Sequence, residues 1–167
     1  VREASYRDDL TGLYNRRFLQ QRLDEELHRA SRYSLRLACI MFDLDHFKKV
    51  NDSLGHAAGD FVLQEVATIL KGHLRRSDLP VRHGGEEFLI ILFENDKKGA
   101  LRVAERVRAD VERHLFEWRG RRIPVTLSCG VSAFPDEGIT TPAELMARAD
   151  AALYEAKSSG RNVVRVG

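Results

Sequence analysis

Two acidic clusters stand where apolar runs stop. The run from Leu35 to Phe42 ends in Asp43-Leu44-Asp45, and Glu86-Glu87 precedes the run from Phe88 to Phe93. Neighbouring carboxylates repel, and their pKa values rise unless a cation sits between them. Carboxylates are hard oxygen ligands that suit Mg²⁺ or Mn²⁺, typically alongside phosphate oxygens. One acidic residue at a strand end only solubilises it. Two clusters on two apolar strands favour a metal, provided the strands are neighbours and Asp43 and Glu86 converge at one sheet edge. Gly84-Gly85, just before the second cluster, has two uses: a tight turn, or a bare backbone that lets a nucleotide approach closely. Lys157 and Arg161, in the tail AKSSGRN (156–162), also have two uses. They complement a helix dipole at its C-terminus, or they bind a triphosphate, lysine as a point charge and arginine as a fork.

Alternating helical and strand-like segments must position these groups. Phe18, Leu19, Leu23, Leu27 and Ala30 recur at helical spacing and predict a helix over 16–33, followed by a buried strand over 35–42. Val62, Leu63, Val66, Ile69, Leu70 and Leu74 mark a second helix starting near Asp60. Strands over 79–83 and 87–93 flank the Gly84-Gly85 turn as a hairpin. Leu101, Ala104, Val107, Val111 and Leu115 predict a third helix, and residues 123–133 another strand with Pro124 near its start. Thr141-Pro142-Ala143-Glu144 is a capping box with proline at the first helical position, and Gly160 stops that helix. A short strand over 162–166 ends the chain. A hairpin among strand–helix units predicts an α+β fold with a central mixed, mainly antiparallel sheet flanked by helices, not a doubly wound parallel one.

Bulk properties narrow the function classes. With 167 residues the chain is one domain that can bury a core without disulfides or structural metal. The 27 basic and 25 acidic residues leave a net charge of +2, which does not mark a nucleic-acid binder. Cys39 and Cys129 lie in apolar runs without metal-ligand spacing and read as buried free thiols of a reducing cytoplasm. No apolar run reaches membrane-spanning length, so no direct membrane contact is expected of this domain. Residues 1–7 read as the end of a linker from a regulatory region, through which the full-length protein could be membrane-tethered, and 8–167 as the domain itself.

GGEEF at 84–88, with FDLDHFKKVNDSLGHAAGD at 42–60, resembles the GGDEF domain of bacterial diguanylate cyclases. DDLTGLYNRR at 8–17, SCGVS at 128–132 and ADAALYEAKSSGRN at 149–162 extend the resemblance across the chain in the family's order. The resemblance implies a palm-like nucleotidyl-cyclase core, akin to ferredoxin-like folds. It implies a metal-dependent reaction in which two GTP condense to cyclic di-GMP and two pyrophosphates, across a homodimer of half-sites. Carried over by position, Asp43, Glu86 and the Leu44 carbonyl resemble the metal ligands, with two Mg²⁺ or Mn²⁺ per half-site. Glu87 matches a second signature acid, a metal ligand or the base for the 3′-hydroxyl. Lys48, Lys157 and Arg161 look like phosphate contacts, helped by the backbone N–H groups of His46 and Phe47. Asn51 and Asp60 match the guanine-binding pair. Guanine offers N1–H and N2–H₂ donors that Asp60 can accept together, and adenine would leave Asp60 unpaired. Asp60 could also cap a helix over 61–74.

RRSD at 75–78 fits the family's RxxD inhibitory motif upstream of Gly84. Arg75 and Asp78, with Arg106 on the third helix, would then bind the product cyclic di-GMP as a brake. Two departures, His83 where tyrosine is frequent and Cys129 where an apolar residue is frequent, leave the carried-over chemistry intact. A rival from another class is a non-catalytic receptor that binds cyclic di-GMP or GTP. A cyclase of another purine on the same fold is disfavoured by Asp60.

Overall fold

Strand β1, Leu37–Leu44, is buried along its whole length because both its edges and both its faces are covered. It pairs antiparallel with β3, Glu87–Phe93, on one side and with β6, Leu127–Phe134, on the other. Strand β2, Leu79–Arg82, extends the sheet beyond β3, and β7, Val164–Val166, adds parallel to β6. The resulting order is β2-β3-β1-β6-β7. The computed structural model describes residues 3–167. The expected α+β class with a mixed, mainly antiparallel sheet is the architecture observed.

Side chains alternate between the two faces of the sheet, and each face has its own helices. Ala38, Ile40 and Phe42 of β1 join α3, His56–Gly72, and α4, Lys97–Arg113, in one core. Leu37, Cys39 and Met41 join α1, Arg16–Tyr33, and α5, Pro142–Ser158, in a second core. The SCGVS block follows the same alternation. Cys129 and Val131 enter the first core, whereas Ser128, Gly130 and Ser132 lie opposite the odd-numbered residues of β1, on the α5 side. A Cβ on Gly130 would lie 2.1 Å from the Ala149 carbonyl oxygen, so glycine here sets how closely α5 approaches the sheet. Ser132 completes the contact by donating its hydroxyl to the Leu145 carbonyl at 2.7 Å.

Several expected boundaries shift for identifiable reasons. The strand expected over 35–42 begins at Leu37, because Leu35 N–H still bonds the Ala30 carbonyl at the end of α1. It runs on through Asp43, because pairing with β3 continues to Glu87. The helix expected to start near Asp60 starts at His56, after Gly55 at φ +92°, and an unpredicted helix α2, Phe47–Leu54, precedes it. Asp60 therefore lies inside α3 and does not cap it. The third helix ends at Arg113, leaving Leu115 outside it and exposed. The single strand expected over 123–133 breaks after Ile123. Its first part is β5, Arg121–Ile123, which pairs with β4, Phe116–Trp118, in a separate hairpin. Arg119 and Gly120 both sit at positive φ in the connecting turn, as a two-residue primed turn requires. The helix over 16–33, the strand over 87–93 and the Thr141–Glu144 capping box are as expected. Cys39 and Cys129 are free and buried, and burial pushes the Cys39 thiol up to about 12.

Of the expected linker over 1–7, residues 1 and 2 lie outside the described residues. Glu3–Tyr6 form a 3₁₀ turn, and the Tyr6 hydroxyl donates to Gln21 of α1 at 2.8 Å.

Candidate active site

The register of β1 against β3 places Asp43 opposite Glu87, and Leu44 N–H bonds the Glu86 carbonyl at 3.2 Å. The two acidic clusters therefore meet at one sheet edge, as expected. Asp43 is buried, and its carboxylate pairs with the Lys157 ammonium reaching over from α5. Burial, the Asp43 charge and a hydrogen bond between the two carboxyls raise the Glu86 pKa, against the opposing pull of Lys157. Burial and then the charges of Asp43 and Asp150 raise that of Glu87, while Lys157 and Arg16 oppose. For Lys157 itself, burial disfavours the charge, but Asp43, Glu87 and Glu86 outweigh it and raise the pKa.

Three acids facing one ammonium leave an excess of negative charge in a half-buried place. Among the described residues no three His, Cys, Asp or Glu side chains form a ready-made metal cage. Mg²⁺ is commonly held by one or two carboxylates plus substrate phosphates rather than by an all-protein cage. The donor set of Asp43, Glu86, Glu87 and the Leu44 carbonyl fits such an ion.

The signature turn is held from outside the sheet. Arg82 donates to the Gly85 carbonyl at 2.7 Å and to Asp8 at 3.1 Å. Asp8 also accepts from the Thr11 N–H and hydroxyl, at 2.9 and 2.7 Å. Tyr14 forms backbone bonds to Pro80 and Arg82, and Arg16 donates to the His83 carbonyl at 3.1 Å. DDLTGLYNRR is thus a clamp on the hairpin, a role the sequence reading left unassigned. Neither Gly84 nor Gly85 sits at positive φ. A Cβ on Gly85 would meet nothing within 4 Å, and one on Gly84 only the Glu87 side chain, 3.3 Å from its Oε1. Gly85 thus borders open space, and Gly84 borders only the Glu87 side chain.

Asp45, two residues beyond Asp43, has a different role. It accepts from the Thr126 hydroxyl at 2.7 Å, the Ser128 hydroxyl at 2.6 Å and the Asn162 N–H at 3.1 Å. Arg108 of α4 bonds the Asn162 side chain at 2.8 Å. These bonds fix the loop that follows α5 and carries Arg161; in the sequence Asp45 belonged to the acidic cluster, and its bonds to Thr126, Ser128 and Asn162 were not legible there. A cleft of about 770 Å³ opens beside Glu87 between α1 and α5, lined in part by Arg16, Met41, His83, Met146 and Asp150.

The remaining candidates divide into two groups. On the α2–α3 side, His46 holds a left-handed conformation, no side chain among the described residues caps α2, and the Lys49 N–H bonds the His46 carbonyl at 3.0 Å. Lys48 is largely exposed, 3.7 Å from Asp52. Asp60 is exposed, whereas the Asn51 carboxamide oxygen is buried without a hydrogen-bond partner. Arg161 is exposed and forms no ion pair among the described residues.

The RRSD residues lie elsewhere, between α3 and β2. Asp78 is buried and accepts from the Arg75 and Phe93 N–H groups at 2.9 and 3.3 Å. The Arg75 guanidinium is half exposed and donates to the Phe93 carbonyl. Asp78 is thus the staple beneath Arg75. Arg106 is exposed on α4.

Comparison with known proteins agrees with this geometry. Residues 5–163 match the family described as diguanylate cyclase, GGDEF domain. The response regulator PleD of Caulobacter vibrioides is 45% identical over 164 residues, covering 97% of this chain and 36% of PleD. The chain thus spans about a third of the length of that relative. The GGDEF domain of DgcB from Caulobacter crescentus, solved in complex with c-di-GMP, superposes with a TM-score of 0.93 at 31% identity, covering 99% of this chain and 98% of that one. The active GGEEF domain of a Vibrio cholerae diguanylate cyclase gives a TM-score of 0.85 at 35% identity, covering 91% and 96%. No helix among the described residues is long and apolar enough to cross a membrane. With residues 5–163 matched and its signature acids together at one strand end, the chain belongs to the GGDEF domain family of diguanylate cyclases.

Proposed function

We propose that the domain condenses two GTP into cyclic di-GMP with release of two pyrophosphates. The observation that carries this reading is the meeting of Asp43, Glu86 and Glu87 beside a double-glycine turn that leaves room for an outside group. Asn51 and Asp60 hold the guanine. The first N–H groups of α2 at His46 and Phe47, with Lys48 and Arg161, take the triphosphate. Lys157 exchanges its bond to Asp43 for a phosphate oxygen when substrate arrives. Asp43, Glu86, Glu87 and the Leu44 carbonyl hold Mg²⁺ or Mn²⁺, two per half-site. When bound, the ions neutralise the triphosphate and lower the pKa of the attacking hydroxyl.

Each 3′-oxygen attacks the α-phosphorus of the other GTP. The bond to the bridging oxygen breaks, pyrophosphate leaves, and the hydroxyl proton passes to a base; Glu87 serves either as that base or as a metal ligand. One domain binding one GTP supplies only one of the two new bonds, so catalysis needs a homodimer of facing half-sites. The domain works in the cytoplasm. Product binds at the exposed guanidiniums of Arg75 and Arg106, with Asp78 orienting Arg75, and inhibits.

The test is cyclic di-GMP and pyrophosphate formation from GTP and Mg²⁺. Glu86→Ala and Glu87→Ala each abolish it, and full activity in both variants rejects the reading. Binding of cyclic di-GMP with no pyrophosphate release from the dimerised protein would point instead to a receptor.

A further inference from the structure

Helices α2 and α3 form a hairpin about Gly55, and Gly59 of α3 is buried against α2. A Cβ built on Gly59 would lie 2.0 Å from the Asn51 carboxamide oxygen, 3.1 Å from its Cγ and 3.1 Å from Cζ of Phe47. Gly59 is not at positive φ, so its backbone does not demand glycine. Inside a helix, glycine is less favourable than alanine. The chain nevertheless has glycine where alanine would favour the helix, and the space gained is filled by one polar atom. That atom, the Asn51 Oδ1, is buried and accepts no hydrogen bond among the described residues.

We propose that Gly59 is a specificity-determining positioning residue for the nucleotide base. Its missing side chain forms the slot in which the Asn51 amide oxygen lies, against the α3 backbone. With the oxygen seated there, the amide nitrogen is the end of the group turned away from α3. Asn51 is thereby presented as a donor, while Asp60, the next residue of α3, is exposed and offers only acceptors. A donor beside a carboxylate complements guanine, whose ring acceptors neighbour its N1–H and N2–H₂ donors. A methyl group at position 59 would evict the amide and push on Phe47, the first residue of α2, so base and phosphate grips would shift together. This inference rests on the reading of Asn51 and Asp60 as the guanine pair.

The experiment measures GTP affinity by calorimetry and steady-state KM and kcat with GTP and with ATP, whose 6-amino donor stands where guanine has its O6 acceptor. Gly59→Ala, Asn51→Ala and the double variant are compared with the unaltered protein, with a thermal melt of each. Gly59→Ala is expected to weaken GTP binding about tenfold or more and to narrow the preference for GTP over ATP. In the Asn51→Ala background, where nothing fills the slot, the same substitution is expected to change neither by more than about twofold. If Gly59→Ala alone is too unstable to assay, recovery of a folded protein in the double variant supports the clash, and equal instability there overturns the inference. Unchanged GTP binding in Gly59→Ala, or an equal loss in both backgrounds, overturns the role of Gly59 while leaving the guanine pair standing. Unchanged GTP binding in Asn51→Ala overturns the guanine pair, and this inference with it.

Discussion

Asp43 and Asp45 stand two residues apart at one strand end, both buried, with opposite surroundings. Asp45 is saturated by two hydroxyls and a backbone N–H, all from its own chain. Asp43 faces Glu87 across the register and shares a hydrogen bond with the Glu86 carboxyl, with Lys157 as its offsetting charge. A carboxylate whose partners are complete holds the frame. A carboxylate crowded by its own kind, within a frame that is otherwise satisfied, marks where something from outside the chain completes the charge balance.

The two positions are separated most sharply by conservative substitution. Asp43→Asn is expected to lower cyclic di-GMP formation by roughly a hundredfold or more, the scale of losing a group that acts on developing charge. Its melting temperature should hold, because the substitution relieves carboxylate repulsion as it removes the Lys157 pair. A variant that melts early yet turns over normally would erase the distinction.

Gly130→Ala tests the frame that brings Lys157 to Asp43. The added methyl meets the backbone of α5 at Ala149 and Leu153, which cannot move as a side chain would. A loss of about 3 kcal/mol is expected, the upper end for overpacking, and urea melts measure it.

Asp45→Asn should be smaller in stability and secondary in activity. Its amide turns an N–H₂ toward donors that need an acceptor, for a loss of about 1–3 kcal/mol. GTP binding should weaken only through the loosened loop at Arg161. If Asp45→Asn matched Asp43→Asn in activity with an unchanged melt, both aspartates would belong to the site.

Asp8 supplies the smallest effect, and a pH signature. Burial raises its pKa, but the Thr11 bonds and Arg82 outweigh burial and hold it below the ordinary 3.8. A carboxyl lowered in the folded state lends stability above its unfolded pKa and loses it as pH falls through the folded value. Wild type should therefore shed part of its stability below about pH 4. Asp8→Asn should start less stable at pH 7 and show a shallower fall in that window, as melts across pH would record. Equal slopes would mean the clamp on the signature turn does not depend on that charge.

Much of this was legible in the chain. The long helices carried unbroken periodicity, Thr141 and Glu144 announced a helix start, and the acids at the ends of apolar runs pointed to a metal before any family was considered. What escaped was short or non-local. Helix α2 has only eight residues, too few for the spacing of Phe47, Val50 and Leu54 to stand out from its polar neighbours. The Arg119-Gly120 hairpin, with strands of three residues each, lies between the third helix and the strand expected from Ile123, too short to show an alternation. The clamp from Asp8 through Arg82 to Gly85 links residues 74 apart in one of its bonds, and no local pattern encodes such a link.

The sequence by itself determined the elements, the residue types at their ends and the family, because periodicity, capping and ordered motifs are properties of neighbours along the chain. Only the tertiary structure decided that Asp43 faces Glu87, that Lys157 rather than solvent meets Asp43, and that the Asn51 amide rests on Gly59. Strand register and helix approach are chosen by burial and close packing between distant segments. A one-residue slip in that choice would turn the same acids to the opposite face of the sheet.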